Sequence, residues 1–275
     1  MEDIPTEIQK SPFRVRKGLE ISRFDIKKPT VEGLEKLPPT PCVIATTHLS
    51  DIDIFEIATI VANRRKVGVA SEATNFTVPL FQPYLAVVGK ENFFPMVNAP
   101  YQDGKTALSL RFDDLKKMKE GIKNDGRTMI VAGHNPTRSW KLAESPGMTG
   151  VILAHMADVP LVPVALDIDS KTAIGQSTDI PTRIKNFIMF KRPNSKVIFG
   201  EPMNLAKIPE DKLQLAINLY SPDARRVMTP EQIAIATETL KILQEEASQI
   251  MEALASKLSP EKRGKWGKNL KEKQK

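Results

Sequence analysis

The chain has little with which to build covalent or metal cross-links. A single cysteine, Cys42, among 275 residues excludes an intramolecular disulfide and fits a reducing compartment. Its apolar neighbours mark it as a core residue rather than a nucleophile. Histidine occurs three times, and no His, Cys, Asp or Glu pair has zinc-ligand spacing, so no metal is expected. No run reaches the roughly 18 uninterrupted apolar residues of a membrane-crossing helix. The nearest, Phe76 to Met96, is broken by Pro79, Gln82, Pro83, Lys90, Glu91 and Asn92; such a segment can lie on a bilayer or line a groove. The first residues, Met1 to Glu7, lack the basic start and apolar core of a secretory signal. A G-x-S-x-G elbow for a serine nucleophile is also absent, as are internal repeats.

Charge is present but unevenly spread. The formal net charge is +7, and residues 261–275 hold seven Lys/Arg against two Glu, so most of the excess lies in that tail. A second basic segment runs through Arg183, Lys185, Lys191, Arg192 and Lys196 with Phe187, Ile188, Met189 and Phe190 inside it. An apolar tip with cationic flanks suits an anionic bilayer surface, and equally a solvated loop beside a buried strand. No nucleic-acid-binding motif accompanies either segment.

Short apolar runs alternate with longer amphipathic ones, the signature of an α/β sheet with crossover helices. Strands are expected at 42–46, 66–71, 128–132, 159–166 and 195–202. Helical spacing marks 54–61, 104–123 and 147–157, and one long helix from Thr229 to Leu258, with threonine as N-cap and proline at the first helical position. The run from Val159 to Leu166 carries Pro160 and Pro163. Proline cannot donate to a ladder, so this run is expected at an edge of the sheet or at its ends. Beyond Pro260 the composition predicts disorder. The expected organisation is an amino-terminal arm (1–39), an α/β domain (40–228), a carboxyl-terminal helix (229–258) and a basic disordered tail (259–275).

His48 and Asp53 stand in Thr46-Thr47-His48-Leu49-Ser50-Asp51-Ile52-Asp53, between an expected strand and an expected helix. That puts the histidine at the carboxyl end of a strand, where open α/β sheets bind ligands. A histidine with an aspartate five residues on can act as a base and its orienting carboxylate. The same stretch also reads as a helix cap, with Ser50 three positions before Asp53.

Taken in order, the blocks resemble those of the glycerolipid acyltransferases of the lysophosphatidate acyltransferase type, over roughly residues 40–205. His48 to Asp53 resembles the H-x4-D block, and Phe76 to Met96 the Pro-containing apolar block. Thr137-Arg138-Ser139 resembles the end of F-P-E-G-T-R-S. Val159-Pro160-Leu161-Val162-Pro163-Val164 is similar to V-P-[IV]-V-P-[VI], and Val197 to Pro202 to a late strand-G-x-P. The resemblance implies an α/β fold with a mixed, mostly parallel sheet flanked by helices, plus the carboxyl-terminal helix. It implies an enzyme that moves a fatty acyl group from acyl-CoA or acyl carrier protein to the hydroxyl of a lysophospholipid-like acceptor. His48 would be the general base, Asp53 its orienting group, and Asn135, Thr137, Arg138 and Ser139 the acceptor-binding residues. The donor is a substrate, so no cofactor is implied. The expected location is the cytoplasmic face of an anionic membrane, held peripherally, with no nucleic-acid partner.

Two departures bear on the acceptor. Gly133-His134-Asn135-Pro136 stands where the family has Phe-Pro-Glu-Gly, so Asn135 replaces a glutamate. Phe93 to Asn98 lacks the arginine that ends the family's apolar block, leaving Arg138, with Lys90, Lys105 and Lys141 as substitute cations. These departures keep two alternatives open: a non-glycerophosphate acceptor, and a catalytically silent lipid-binding protein of the same fold. Of the other histidines, His155 is expected to be a helix residue beside the core, and His134 lies in the motif loop.

Overall fold

The computed structural model of the chain describes residues 10–22, 27–49, 53–72, 76, 82–96, 107–135, 137, 140–168, 194–219 and 222–268. Seven strands form one sheet: β1 (Thr30–Glu32), β2 (Val43–Thr46), β3 (Val67–Glu72), β4 (Phe93–Met96), β5 (Thr128–Ala132), β6 (Leu161–Ile168) and β7 (Ser195–Phe199). Their order is β1-β7-β6-β2-β5-β3-β4. The five strands from β6 to β4 are parallel, β7 runs antiparallel to β6, and β1 is parallel to β7. This is the mixed, mostly parallel α/β sheet expected from the sequence.

Eight helices accompany it among the described residues: α1 (Phe13–Ser22), α2 (Asp53–Ala62), α3 (Gln82–Val88), α4 (Ala107–Lys123), α5 (Thr149–Ala157), α6 (Glu210–Asn218), α7 (Pro222–Arg226) and α8 (Pro230–Lys257). Alternation along the strands divides the core between two faces. In β2, Val43 and Ala45 pack with Val151, Leu153 and Leu254 of α5 and α8, while Ile44 packs with Val15 of α1 and Ile57 of α2. Both faces are covered, so the central strands read as continuous apolar runs. The long carboxyl-terminal helix starts as its composition dictates. Thr229 Oγ1 accepts from the Gln232 N–H at 3.2 Å, and Gln232 Oε1 accepts from the Thr229 N–H at 2.9 Å, a complete capping box with Pro230 behind it.

Two expectations need correction. The proline-bearing run forms β6, an interior strand between β7 and β2, so the edge alternative fails, whereas Pro160 precedes the strand and Pro163 stands just before its ladder with β7. Pro163 opposes Ala45 of β2, and its carbonyl accepts from the Gly200 N–H at 2.8 Å, on the β7 side. In a strand a residue's N and O point the same way, so the missing N–H also faces that side. The β6–β7 ladder begins at Val164↔Phe199, one position beyond Pro163, which accepts from Gly200 but has no N–H to return that bond, so the loss is confined to the end of the ladder. The second correction concerns the tail. Residues 259–268, expected to be disordered, dock on the folded body through buried Lys262 and Trp266; residues 269–275 lie outside the described residues. The stretch read as an amino-terminal arm contains α1, which packs on α2 and α3, and β1, which pairs with β7.

No helix among the described residues is long and apolar enough to cross a membrane. Nor do the described residues bring together three or more His, Cys, Asp or Glu side chains able to hold a metal ion.

Candidate active site

Chain connectivity places a crevice between the carboxyl ends of β2 and β5. From β2 the chain passes through α2 on one face towards β3; from the neighbouring β5 it passes through α5 on the other face towards β6. Adjacent strands whose connections leave in opposite directions open a gap above their carboxyl ends, where open α/β sheets hold ligands. His48 follows β2 into that gap, and the loop 133–147 enters it from β5.

The two segments are fastened to each other through the main chain of His48. Its N–H donates to His134 Nε2 at 3.2 Å, and its carbonyl accepts from the Thr137 N–H at 3.1 Å. The loop is pinned at both ends. The Gly133 N–H donates to the Thr46 carbonyl at 2.7 Å, and the Gly147 N–H to the Gly133 carbonyl at 2.7 Å. The approach is close: a Cβ on Gly133 would sit 3.2 Å from the Thr46 carbonyl and 3.1 Å from Leu254, tighter than ordinary van der Waals contact. His48 itself is half-buried.

Asp53 opens α2 and is 1% exposed; its Oδ2 accepts from the Leu49 N–H at 2.9 Å. An acceptor at a helix start is favoured by both the unpaired N–H groups and the helix dipole. The carboxylate is thereby anchored against the residue next to His48. One turn along the same helix, Glu56 is also fully buried. Charged side chains are seldom buried to that degree. The signal for it is local, two acids at i and i+3 in the otherwise apolar Asp53-Ile54-Phe55-Glu56-Ile57, but a reading centred on His48 and Asp53 passes over Glu56. Thr46 closes the floor, fully buried, with its hydroxyl lacking any hydrogen-bond partner among the described residues.

His134 is the principal residue whose role the sequence left undecided. It is 2% exposed. Its Nδ1–H donates to the Asn135 carbonyl at 2.7 Å, since a carbonyl can only accept, which leaves Nε2 as the acceptor for the His48 N–H. Both ring positions are thus committed with the imidazole neutral. Burial lowers its pKa to about 4, helped by the nearby His48 and opposed by the bond to Asn135. His134 is a fixed neutral bracket for the His48 backbone.

Of the expected acceptor-binding residues, Asn135 is exposed and Thr137 is half-buried, its Oγ1 donating to the Lys141 carbonyl at 2.6 Å. Arg138 and Ser139 lie outside the described residues, as do Ser50, Asp51, Lys105 and the segment from Phe187 to Phe190. Among the substitute cations, Lys90 stands in the turn before β4, at the opposite end of the sheet from His48, whereas Lys141 belongs to the loop itself. His155 is also remote from the crevice. Its Nε2 lies 2.6 Å from Glu246 Oε2, and it lines a cavity of about 600 Å³ beside the amino end of β6.

No known protein family and no curated protein matches this sequence. Among solved structures, the chain is similar to the 1-acyl-sn-glycerophosphate (LPA) acyltransferase PlsC from Thermotoga maritima, with a TM-score of 0.44 and 14% identity, over 86% of this chain and 78% of that one.

Proposed function

We propose that this protein is an acyltransferase that moves a fatty acyl group from a thioester donor, acyl-CoA or acyl carrier protein, to the hydroxyl of a lysophospholipid-like acceptor. The observation that carries the reading is the double fastening of the His48 backbone to the 133–137 loop. It unites, in the crevice between β2 and β5, the two sequence blocks that the chemistry needs, although 86 residues separate His48 from His134.

In this reading His48 takes the proton from the acceptor hydroxyl as the oxygen attacks the thioester carbonyl. The C–S bond breaks, the sulfur leaves as thiolate, and the imidazolium returns the proton to it. Asp53, fixed at the start of α2, holds the imidazole orientation and favours the imidazolium that forms. Backbone N–H groups at the start of α2 favour the developing oxyanion. The acceptor hydroxyl attacks the thioester directly, so the reaction passes through no covalent acyl-enzyme. Asn135, Thr137, Arg138 and Ser139 bind the acceptor. The enzyme works at the cytoplasmic surface of an anionic membrane, attached peripherally through the Phe187–Phe190 segment and the basic tail, because stable attachment usually takes two weak signals.

A second reading, an acceptor without a glycerophosphate, is favoured by Asn135 in place of an acid and by the lack of an arginine from Phe93 to Asn98. One experiment separates the two: purified protein is incubated with acyl-CoA or acyl carrier protein and mixed lysolipids, and products are identified by mass spectrometry. Acylated lysophosphatidate supports the first reading and a different acylated product the second; no acylated product from either donor overturns both. Arg138→Ala should then raise KM for a phosphate-bearing acceptor by about tenfold or more, the loss of one charge-assisted bond, while leaving the donor KM nearly unchanged.

A further inference from the structure

The carboxyl-terminal segment 259–268 reaches from the end of β6 to the loop that carries the acceptor-binding residues. At one end, Lys262 is 3% exposed, and its ammonium donates to the Asp167 carboxylate and the Ile168 carbonyl. The Ser259 N–H donates to the same carboxylate at 2.9 Å. At the other end, the Leu142 N–H donates to the Lys262 carbonyl at 2.8 Å, and the Nε1–H of Trp266, 4% exposed, donates to the Ala143 carbonyl at 2.8 Å. Gly264 lies between them at φ 55°, where a Cβ would stand 3.0 Å from the Leu142 carbonyl.

We propose that this segment is a strap that sets the position of the acceptor-binding loop, with Lys262 and Trp266 as positioning residues. The proposal rests on the acyltransferase reading for its consequence, though not for its geometry. A continuous path leads from the strap to the base. Leu142 is held by the strap, the preceding Lys141 carbonyl accepts from Thr137 Oγ1 at 2.6 Å, and the Thr137 N–H donates to the His48 carbonyl at 3.1 Å. Trp140, inside that path, has φ 56°. A bulky residue avoids this left-handed conformation, and such strain persists only where the surroundings over-determine it. The surroundings here are the Thr137–Lys141 bond on one side, the strap on the other, and the two core faces against which Trp140 packs. A basic tail that composition alone assigns to disorder thus contributes two buried side chains to the support of a binding loop.

The test uses the full chain with Lys262→Met, Trp266→Ala and their double variant, and with Trp266→Phe, which keeps a buried ring but removes the donor. Hydrogen exchange is read at the Thr137 amide, whose acceptor is His48 and not the strap, and KM is read separately for acceptor and donor. The double variant should exchange at Thr137 about tenfold faster and raise the acceptor KM about tenfold, the scale of one lost buried hydrogen bond. The donor KM should change less than about twofold on the same scale, and Trp266→Phe should show a smaller change of the same kind if the double variant fails to fold. Unchanged exchange at Thr137 in folded variants overturns the proposal, as does an equal rise in both KM values. A wild-type protein that acylates nothing defeats the acyltransferase reading, while the exchange measurement still decides the strap.

Discussion

The two ends of the sheet bury polar groups in different ways. At the amino ends, Arg65 is 6% exposed and donates to the Pro38 and Thr40 carbonyls at 3.0 and 3.2 Å, with the Thr128 hydroxyl at 3.5 Å. Burial holds its pKa below the ordinary arginine value and pushes the thiol of neighbouring Cys42 up to about 11. The guanidinium is spent on fastening the 38–40 turn to the start of the strands, and the thiol is inert. At the carboxyl ends it is the backbone of His48 that is fastened, by a histidine held neutral, while His48 is half-buried in a crevice. Polar burial alone therefore does not mark a site.

That contrast can be broken from either end. Arg65→Ala should lose about 4 kcal/mol of stability, because it opens a cavity and strands buried carbonyl acceptors, yet activity per folded molecule should hold; chemical denaturation and a rate normalised to folded protein measure the two. A large fall in normalised rate would show that the amino end serves the chemistry as well.

His134 gives the next effect, through pH. Its folded pKa is about 4 against roughly 6.5 in an unfolded chain. The unfolded state binds the extra proton between those values, so stability rises with pH across that window and is complete above it. Acidification from pH 7 to 4 should cost about 3 kcal/mol through this group. Denaturation at several pH values should show a flatter dependence in His134→Asn; an unchanged slope would remove His134 as the neutral bracket.

Asp53→Asn sharpens the comparison further. The amide oxygen can still accept from the Leu49 N–H, so stability should fall by less than about 1 kcal/mol. With Asp53 as the proposed orienting group of His48, loss of its charge should lower the rate by on the order of 10²-fold, the low end of the general acid–base range. Asp51→Asn should do least. If Asp53→Asn lowers stability and leaves the rate alone, the carboxylate is a cap and nothing more.

Much of the sheet was legible because periodicity and caps are local. Thr128 to Ala132 announced β5 by its apolar run, and Thr229-Pro230 announced the start of α8. Other parts were not. β1 is three exposed residues, and its strand character exists only through pairing with β7. β4 contains Pro95 within a broken apolar block and is formed by its place at the sheet edge. Pro163 pointed to an edge because a single strand does not reveal how far its neighbour's ladder extends. Within the site, the H-x4-D spacing was visible. The bracket role of His134 was not, because its partner is a backbone N–H in another part of the chain. The docking of Trp266 on Ala143, 123 residues away, was hidden for the same reason.

The most direct measurement of the central claim is the initial rate of acyl transfer from the thioester donor to the lysolipid acceptor in wild-type protein and in His48→Ala, with thermal melting of both. Loss of a general base should reduce the rate by at least 10²–10⁴-fold with the melting transition retained. A His48→Ala protein that transfers acyl groups at the wild-type rate would contradict the assignment of this crevice as the catalytic centre.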